Sequence, residues 1–226
     1  MLKLLPQALL VFVVGAAALG AVLFASAGTL DYWQAWVFIV VFSASSSGIG
    51  IYLSLKDPAL LERRKNVRPA GGTSPAQKVM GVLIVVGTML LLVVPGLDQR
   101  FGWSSMPGLV ALLGDVLVAA SFVGHYFVFR ANSFGGTTIE VFDEQQVIST
   151  GPYAVVRHPM YAWVIVMCVG AELALGSWWG LLIVVLMQLP VLAWRILDEE
   201  ELLTQDLPGY DDYMRKVRYR LVPHVW

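Results

Sequence analysis

A short polar turn that leads into an apolar run holds the residues best suited to chemistry in this sequence. Residues 151–161 read GPYAVVRHPMY, and each proline fixes its own φ angle and favours extended geometry in the residue before it. Pro159 suits the first turn of a helix, so a helix is predicted to begin near Met160. The unpaired N–H groups and the dipole of that helix start would attract an anion beside Arg157 and His158. The alternative is that these side chains anchor a helix end at a membrane interface.

A second group of polar side chains lies in the sequence RILDEEE, residues 195–201. Arg195 and Glu199 are four residues apart, so on a helix they share one face. An ordinary ion pair at the membrane interface is one explanation of this spacing. A ligand site is the other, because a buried guanidinium needs a carboxylate or phosphate partner.

The composition places both groups in a membrane protein. Of the 226 residues, 58% are hydrophobic and 14% are charged, and the mean hydropathy is +0.71. This is too apolar for a soluble globular protein of the same size. The net charge of -1 gives no electrostatic reason to expect a nucleic-acid partner. The single cysteine, Cys168, excludes a disulfide framework and a thiolate metal site, and no metal is expected.

Six apolar runs separated by polar segments predict the fold class. We expect an all-α, multi-pass transmembrane helical bundle of about five to six membrane helices, which forms a single membrane domain over residues 1–226. The last two runs are predicted to form a helical hairpin, followed by a cytoplasmic C-terminal segment. The runs are residues 4–27, 36–55, 79–94, 107–129, 160–175 and 178–197.

The breaks between the runs are expected at glycines, prolines and clusters of charge. Gly176-Ser177 interrupts the last two runs, and Pro95-Gly96 is expected to end the third. Residues 56–78 and residues 98–100 are expected to be polar loops. The charged tail that begins at Asp198 is expected to be amphipathic.

The distribution of positive charge predicts the orientation of the bundle. With both termini inside, the cytoplasmic side receives Lys3, the cations of the 56–78 segment, Arg130, Arg157 and the cations of the tail. Arg100 is left outside. Both groups of polar side chains then lie on one face of the membrane, so an active site built from them is expected to face the cytoplasm.

Three polar residues interrupt the apolar runs, namely Asp115, His125 and Glu172. Each would be costly in lipid, so each is expected to face the interior of the bundle. His125 is expected to form an interhelical hydrogen bond. It is a poor candidate for a metal ligand, because the sequence has no second His or Cys at ligand spacing.

The chain from about Arg130 to its C-terminus resembles the isoprenylcysteine carboxyl methyltransferase family, a pattern that the phospholipid N-methyltransferases share in part. The resemblance implies an S-adenosylmethionine-dependent methyltransferase without a Rossmann domain. The cofactor pocket would lie at the cytoplasmic ends of the last helices, so residues 1–129 would supply transmembrane helices and residues 130–226 the cofactor-binding part. The matching motifs are Gly151-Pro152-Tyr153, Arg157-His158-Pro159-Met160-Tyr161, Arg195 with Glu199-Glu200, Tyr210-Asp211-Asp212-Tyr213 and Val222-Pro223.

The resemblance also implies roles for individual residues. Arg195 matches the position that contacts the substrate carboxylate, and it is the candidate catalytic residue. The acceptor would be a lipid-like or prenylated molecule methylated at a carboxylate, which needs no general base. The candidate cofactor-binding residues are Gln145, Gln146, Val147, Ile148, Tyr153, His158, Pro159, Met160, Tyr161 and Glu199.

Three other functions stay open at this point. A phospholipid N-methyltransferase would use the same cofactor with an amine acceptor. A membrane reductase of the sterol-reductase type would use a nicotinamide cofactor on a related helical architecture. A membrane protein without catalytic activity, such as a transporter component, would use the polar turns only to cap helices.

Overall fold

The computed structural model describes residues 4–65, 75–135 and 145–226, and all regular structure within these ranges is helical. A 3-10 turn, Gly151–Ala154, precedes α6, and a π-helical segment, Val184–Gln188, joins α7 to α8. The α-helices are α1 (Leu4–Ala27), α2 (Trp33–Lys56), α3 (Pro58–Lys65), α4 (Pro75–Phe101), α5 (Gly108–Ala131), α6 (Pro159–Ala174), α7 (Trp178–Ile183), α8 (Leu189–Asp206) and α9 (Tyr210–Lys216).

The predicted all-helical membrane fold is confirmed. Within the described ranges, α2, α4, α5 and the continuous helical run Trp178–Asp206 are long and apolar enough to cross a membrane. Two shorter apolar helices, Phe12–Ala27 and Pro159–Ala174, accompany them. Large apolar side chains such as Val82, Leu112 and Leu186 point outward, which suits a lipid environment.

Small residues bring the membrane helices close together. A Cβ atom added at Gly114 of α5 would lie 2.2 Å from the backbone nitrogen of Ala174 on α6. A Cβ atom at Gly170 of α6 would lie 3.0 Å from the carbonyl oxygen of Gly114. The two backbones therefore touch directly, as expected for membrane helices that pack through small residues. This contact sets the position of α6, which carries part of the candidate site.

The expectation that Pro95-Gly96 ends the third helix was wrong, because α4 continues through both residues to Phe101. Residues 98–100 are therefore helical and do not form a loop. Gly96 lets α4 lie directly against α1, since an added Cβ atom would come within 2.9 Å of the Leu23 carbonyl oxygen. A proline is tolerated in a membrane helix where neighbouring helices support the interrupted backbone.

The expected polar loop over residues 56–78 was also partly wrong. It contains α3 and the first residues of α4, while residues 66–74, with the cation Arg68, lie outside the described residues, as does Lys3. The Asp57 carboxylate accepts a hydrogen bond from the Leu60 N–H at 3.0 Å, and Pro58 occupies the first helical position. An acidic N-cap followed by proline is a helix-start signal that the polarity of the segment concealed.

The last membrane helix is longer than predicted. It runs through the π-helical segment Val184–Gln188, continues through Pro190 two residues later, and passes Asp198 to end at Asp206. A π-helical segment accommodates a proline, because the ring removes one N–H donor from the regular helical ladder. The acidic residues that follow Arg195 are therefore held on the same rigid helix as the membrane span.

The helix ends form two clusters at opposite ends of the bundle. At one end, the Tyr32 hydroxyl donates to the Leu175 carbonyl oxygen at 2.6 Å, and the Ser177 hydroxyl donates to Asp98 at 2.5 Å. Arg100 belongs to this end. The other end carries the C-terminal ends of α5 and α8, α3, the turn before α6, and α9, with most of the described cations.

The three polar residues of the apolar runs face the interior, as predicted. Asp115, His125 and Glu172 are all buried. The expected interhelical bond of His125 was wrong, because its Nδ1 lies 2.7 Å from the Ser121 carbonyl oxygen of the same helix. A carbonyl four residues earlier on a helix lies within reach of this side chain, which satisfies it without a neighbouring helix.

Candidate active site

The turn before α6 is held by the buried carboxylate of Glu200. Glu200 lies on α8, and its Oε1 accepts a hydrogen bond from Arg157 Nε at 2.7 Å and lies 3.1 Å from His158 Nε2. Its Oε2 accepts from Arg220 Nε at 2.8 Å. Arg157, His158 and Glu200 are all buried, so this cluster compensates charge that could not stay unpaired away from water. Glu200 therefore joins the turn, α8 and the C-terminal segment.

The C-terminal segment is also tied to the turn through its backbone. The Arg157 N–H donates to the Tyr219 carbonyl oxygen and the His158 N–H to the Arg220 carbonyl oxygen, both at 2.9 Å. Arg157 Nη1 donates to the carbonyl oxygens of Val217 and Arg218. Glu200 and backbone carbonyl oxygens therefore take these donors of Arg157 and His158, and an anion at the start of α6 stays a prediction.

A chain of hydrogen bonds links Arg195 to Glu199 through a tyrosine of α6. Arg195 Nε donates to the Tyr161 hydroxyl oxygen at 2.8 Å, and that hydroxyl donates to Glu199 Oε2 at 2.5 Å. The guanidinium also lies 5.9 Å from the centre of the Tyr161 ring. The predicted common face of Arg195 and Glu199 is present, with Tyr161 between them. This arrangement fixes a cation and an anion at the rim of one cavity.

Tyr153 connects the turn to α5 and α9. Its hydroxyl accepts a hydrogen bond from Asn132 Nδ2 at 3.1 Å, and its carbonyl oxygen accepts from the Tyr213 hydroxyl at 2.8 Å. Burial raises the pKa of the Tyr153 phenol to about 12, so the hydroxyl stays protonated at physiological pH. Tyr153 can therefore serve as a hydrogen-bonding and aromatic wall but not as a phenolate base.

These groups surround one cleft with about 840 Å³ of empty space, part of it open to solvent. Pro159, the N-terminal residue of α6, is buried beside the cleft and does not line it. The other candidate site residues all line it. They are Gln145, Gln146, Val147, Ile148, Tyr153, His158, Met160, Tyr161, Arg195 and Glu199.

Sequence reasoning missed part of the lining. Arg157 was placed beside a predicted anion but not in the cofactor set, and Glu200, which pairs with Arg157, was named in the family motif without a role. No local signal in the EEE sequence singled out Glu200 as the carboxylate that pairs with Arg157. The additional lining residues are Asn132, Phe134, Gly135, Arg157, Leu202, Leu203, Leu207, Tyr210 and Tyr213.

The cleft combines one carboxylate, that of Glu199, with the guanidinium groups of Arg157 and Arg195 and several aromatic rings. Glu199 is the acidic residue among the described lining residues, and it can accept hydrogen bonds from hydroxyl or ammonium donors. Arg195 can bind a planar anion through two donors. The described residues contain no group of three or more His, Cys, Asp or Glu side chains placed to hold a metal ion. The arrangement suits a polar organic ligand that carries both charges.

Comparison with known proteins gives one family match. Residues 109–207 match a family model described as phospholipid methyltransferase. The matched part begins in α5, ends after α8 and contains Arg157, Arg195 and Glu199, but it is less than half of the chain. A search of curated proteins found no match. The family match supports a membrane methyltransferase and does not single out the isoprenylcysteine carboxyl methyltransferases.

Proposed function

We propose that this protein is an integral membrane methyltransferase that uses S-adenosylmethionine to methylate a lipid-like or prenylated acceptor at a carboxylate. The cleft is the observation that carries the proposal, because ten of the eleven candidate residues, all but Pro159, line it. The match of residues 109–207 to the phospholipid methyltransferase family supports the reaction class. The apolar helices around the cleft support a lipid acceptor.

The residues of the cleft fit S-adenosylmethionine, which supplies a methyl group on a positively charged sulfonium. Glu199 offers a carboxylate to ribose hydroxyls or to the ammonium group. The rings of Tyr153 and Tyr161 offer aromatic faces that attract a cation. Val147 and Ile148 give an apolar wall, and Gln145 and His158 add polar groups.

Arg195 is proposed to position the acceptor. Its Nε donates to the Tyr161 hydroxyl oxygen, so α6 as well as α8 determines the direction of the guanidinium. A carboxylate held by that guanidinium is already a nucleophile, so the protein needs to orient it and exclude water rather than remove a proton. Because Arg195 and Glu199 are joined through Tyr161, the acceptor and the cofactor would lie side by side.

The second candidate is a phospholipid N-methyltransferase, which also fits the description of the matched family as phospholipid methyltransferase. An ammonium acceptor must lose a proton before it can attack. Among the described lining residues, Glu199 is the carboxylate available to receive it. The two candidates therefore differ in the group that accepts the methyl, not in the cofactor.

We also propose that the cleft faces the cytoplasm. The described end of the bundle that holds the cleft carries Arg63, Arg64, Arg130, Arg195 and Arg215, while Arg100 lies at the other end. An excess of positive charge marks the cytoplasmic side of a membrane protein.

The test is equilibrium binding of labelled S-adenosylmethionine and of NADPH to the protein purified in detergent. We expect saturable binding of S-adenosylmethionine and none of NADPH. Glu199→Ala is expected to weaken the binding, while Glu201→Ala, which removes an exposed carboxylate on the same helix, is expected to leave it unchanged. Saturable binding of NADPH instead would indicate the reductase, and binding of neither ligand would contradict both enzymes.

A further inference from the structure

Arg64 of α3 reaches the cleft from a part of the chain outside the family match. Its Nη1 lies 3.1 Å from the Gly135 carbonyl oxygen, to which it donates, and 3.5 Å from the Met160 sulfur. Both of these residues line the cleft. The guanidinium carbon lies 4.5 Å from the centre of the Phe129 ring. Three elements thus hold one half-buried cation at the edge of the cavity.

The surroundings of Arg64 differ from those of Arg157, a buried arginine at the same end of the bundle. The Arg157 guanidinium is paired with Glu200, whereas the contacts of Arg64 with described residues are a carbonyl, a thioether and an aromatic ring, all neutral. Burial is the main cause that lowers the pKa of the Arg64 guanidinium. Arg64 contacts Met160 and Arg195 contacts Tyr161, the next residue of α6, so the two guanidinium groups approach the same part of the cleft. An anion placed between them would relieve their mutual repulsion.

The apolar contacts of Arg64 indicate what kind of anion fits. Phe129 belongs to a buried apolar cluster with Leu53, Leu60 and Val128, at the level where α2 and α5 leave the membrane. Met160 packs against the same cluster. The carboxylate of Glu200 is paired with Arg157, and the tyrosines of α9 belong to a different apolar cluster with Leu207 and Val217. An anion held at Arg64 is thus placed next to an apolar surface that suits a hydrocarbon chain.

We propose that Arg64 and Arg195 together bind the anionic group of the methyl acceptor, a lipid carboxylate or a lipid phosphate, so that α3 takes part in selecting the acceptor. This inference rests on the proposed function and adds a substrate-binding residue to it. Arg195 would hold the anion beside the cofactor residues, and Arg64 would hold it on the membrane side. Because α3 precedes the matched residues 109–207, acceptor choice would depend on a part of the chain that the family match does not cover.

The test uses Arg64→Gln and the matched control Arg63→Gln. Arg63 is the neighbouring arginine of α3 and donates to the Ser133 carbonyl oxygen at 2.6 Å, so both variants lose one positive charge and a hydrogen bond to the segment 132–135. The measurements are the dissociation constant for S-adenosylmethionine, and KM and kcat for two acceptors in mixed micelles. One acceptor carries a carboxylate and no phosphate, and the other is phosphatidylethanolamine.

Arg64→Gln is expected to raise KM for the acceptor that the wild type uses by about ten- to a hundredfold, the scale of a lost charge-assisted hydrogen bond. The cofactor dissociation constant is expected to change less than about twofold, and Arg63→Gln is expected to behave as the wild type. Arg64→Lys keeps the charge but not the planar fork, so its KM is expected to lie between those of the wild type and Arg64→Gln. Use of the carboxylate or of the phosphate lipid by the wild type identifies the source of the anion.

Three results would overturn the inference. The first is an unchanged KM in Arg64→Gln, and the second is an equal loss in Arg63→Gln, which would indicate that the arginines only tether segment 132–135. The third is a loss confined to cofactor affinity, which would place Arg64 at the cofactor carboxylate. If Arg64→Gln does not fold, the KM of Arg64→Lys is compared with that of the wild type instead, and an unchanged KM would overturn the inference. A wild type that binds no S-adenosylmethionine would contradict the proposed function itself, which is a different outcome from any of these.

Discussion

Replacing Glu200 with glutamine tests whether one buried carboxylate holds the site together. Glu200 is 6% exposed and accepts hydrogen bonds from Arg157 and Arg220, with His158 at 3.1 Å. Glutamine keeps the shape but loses the charge, and its amide presents N–H donors to a guanidinium that is itself a donor. Removing one partner of a buried ion pair costs about 3–5 kcal/mol. We take about 3 kcal/mol here, because Arg220 is partly exposed and can turn to water.

The assay is thermal unfolding of wild type and variants side by side in one detergent. About 3 kcal/mol corresponds to a decrease in Tm of roughly 6–12 °C for a chain of this length. Glu201→Gln is the matched control, since it removes the same charge from an exposed neighbour and is expected to leave Tm unchanged. Hydrogen exchange of the amides of Arg157 and His158 is expected to accelerate in Glu200→Gln, because the segment that accepts their hydrogen bonds would detach. Equal Tm values for the two variants would show that the Glu200 carboxylate does not hold the site together.

Three further predictions concern the cleft and the topology. His158→Ala and Glu199→Ala are each expected to weaken S-adenosylmethionine binding by about 1–3 kcal/mol, the cost of a lost hydrogen bond to a charged group, as measured by equilibrium binding; unchanged affinity in both folded variants would remove these residues from the site. Arg195→Ala is expected to lower the methyl-transfer rate or acceptor affinity far more than cofactor affinity, and Arg195→Lys is expected to restore little, because lysine lacks the planar fork; full activity would exclude the acceptor role. A cysteine at the exposed position Thr204 is expected to be protected from membrane-impermeant reagents added outside intact cells, and labelling from outside would contradict the orientation.

Much of the membrane architecture could be predicted from sequence because apolar length is a local property. The six apolar runs, the helix start at Pro159 and the break at Gly176-Ser177 all rest on signals within a few residues. The error at Pro95 arose because local reasoning treats a proline as a helix end. In the structure, the close contact of Gly96 with α1 supports the helix beyond it, and that contact joins residues about 70 positions apart in the chain.

The residues of the candidate site could be predicted by resemblance and by charge. The hydrogen bonds and ion pairs between them could not. The sequence EEE gives no information on which carboxylate faces inward, because that depends on where α8 meets the turn before α6. The structure turns Glu200 toward Arg157 and His158, and Glu199 toward Tyr161. Arg64 could not be assigned from sequence at all, since its approach to Gly135 and Met160 depends on the packing of α3 against distant residues.

The buried acidic residues of the apolar bundle differ in whether their carboxylates have hydrogen-bond partners. Asp98 is satisfied by Ser104 and Ser177 at the end of the bundle opposite the cleft. Glu172 and Asp115 are buried, and their carboxylate oxygens have no hydrogen-bond partner among the described residues. Packing holds Glu172 in place, because a Cβ atom on Gly180 would collide with its carboxylate.

The most direct measurement of the central claim is transfer of a labelled methyl group from S-adenosylmethionine to a lipid by the purified protein in liposomes. We expect label in the lipid fraction that mild base releases as methanol, since a methyl ester is base-labile and a methylated amine is not. Glu199→Ala and Arg195→Ala are each expected to abolish most of this transfer, while Glu201→Ala is not. No transfer to any lipid would contradict the enzyme assignment, and label that base cannot release would contradict the carboxylate acceptor.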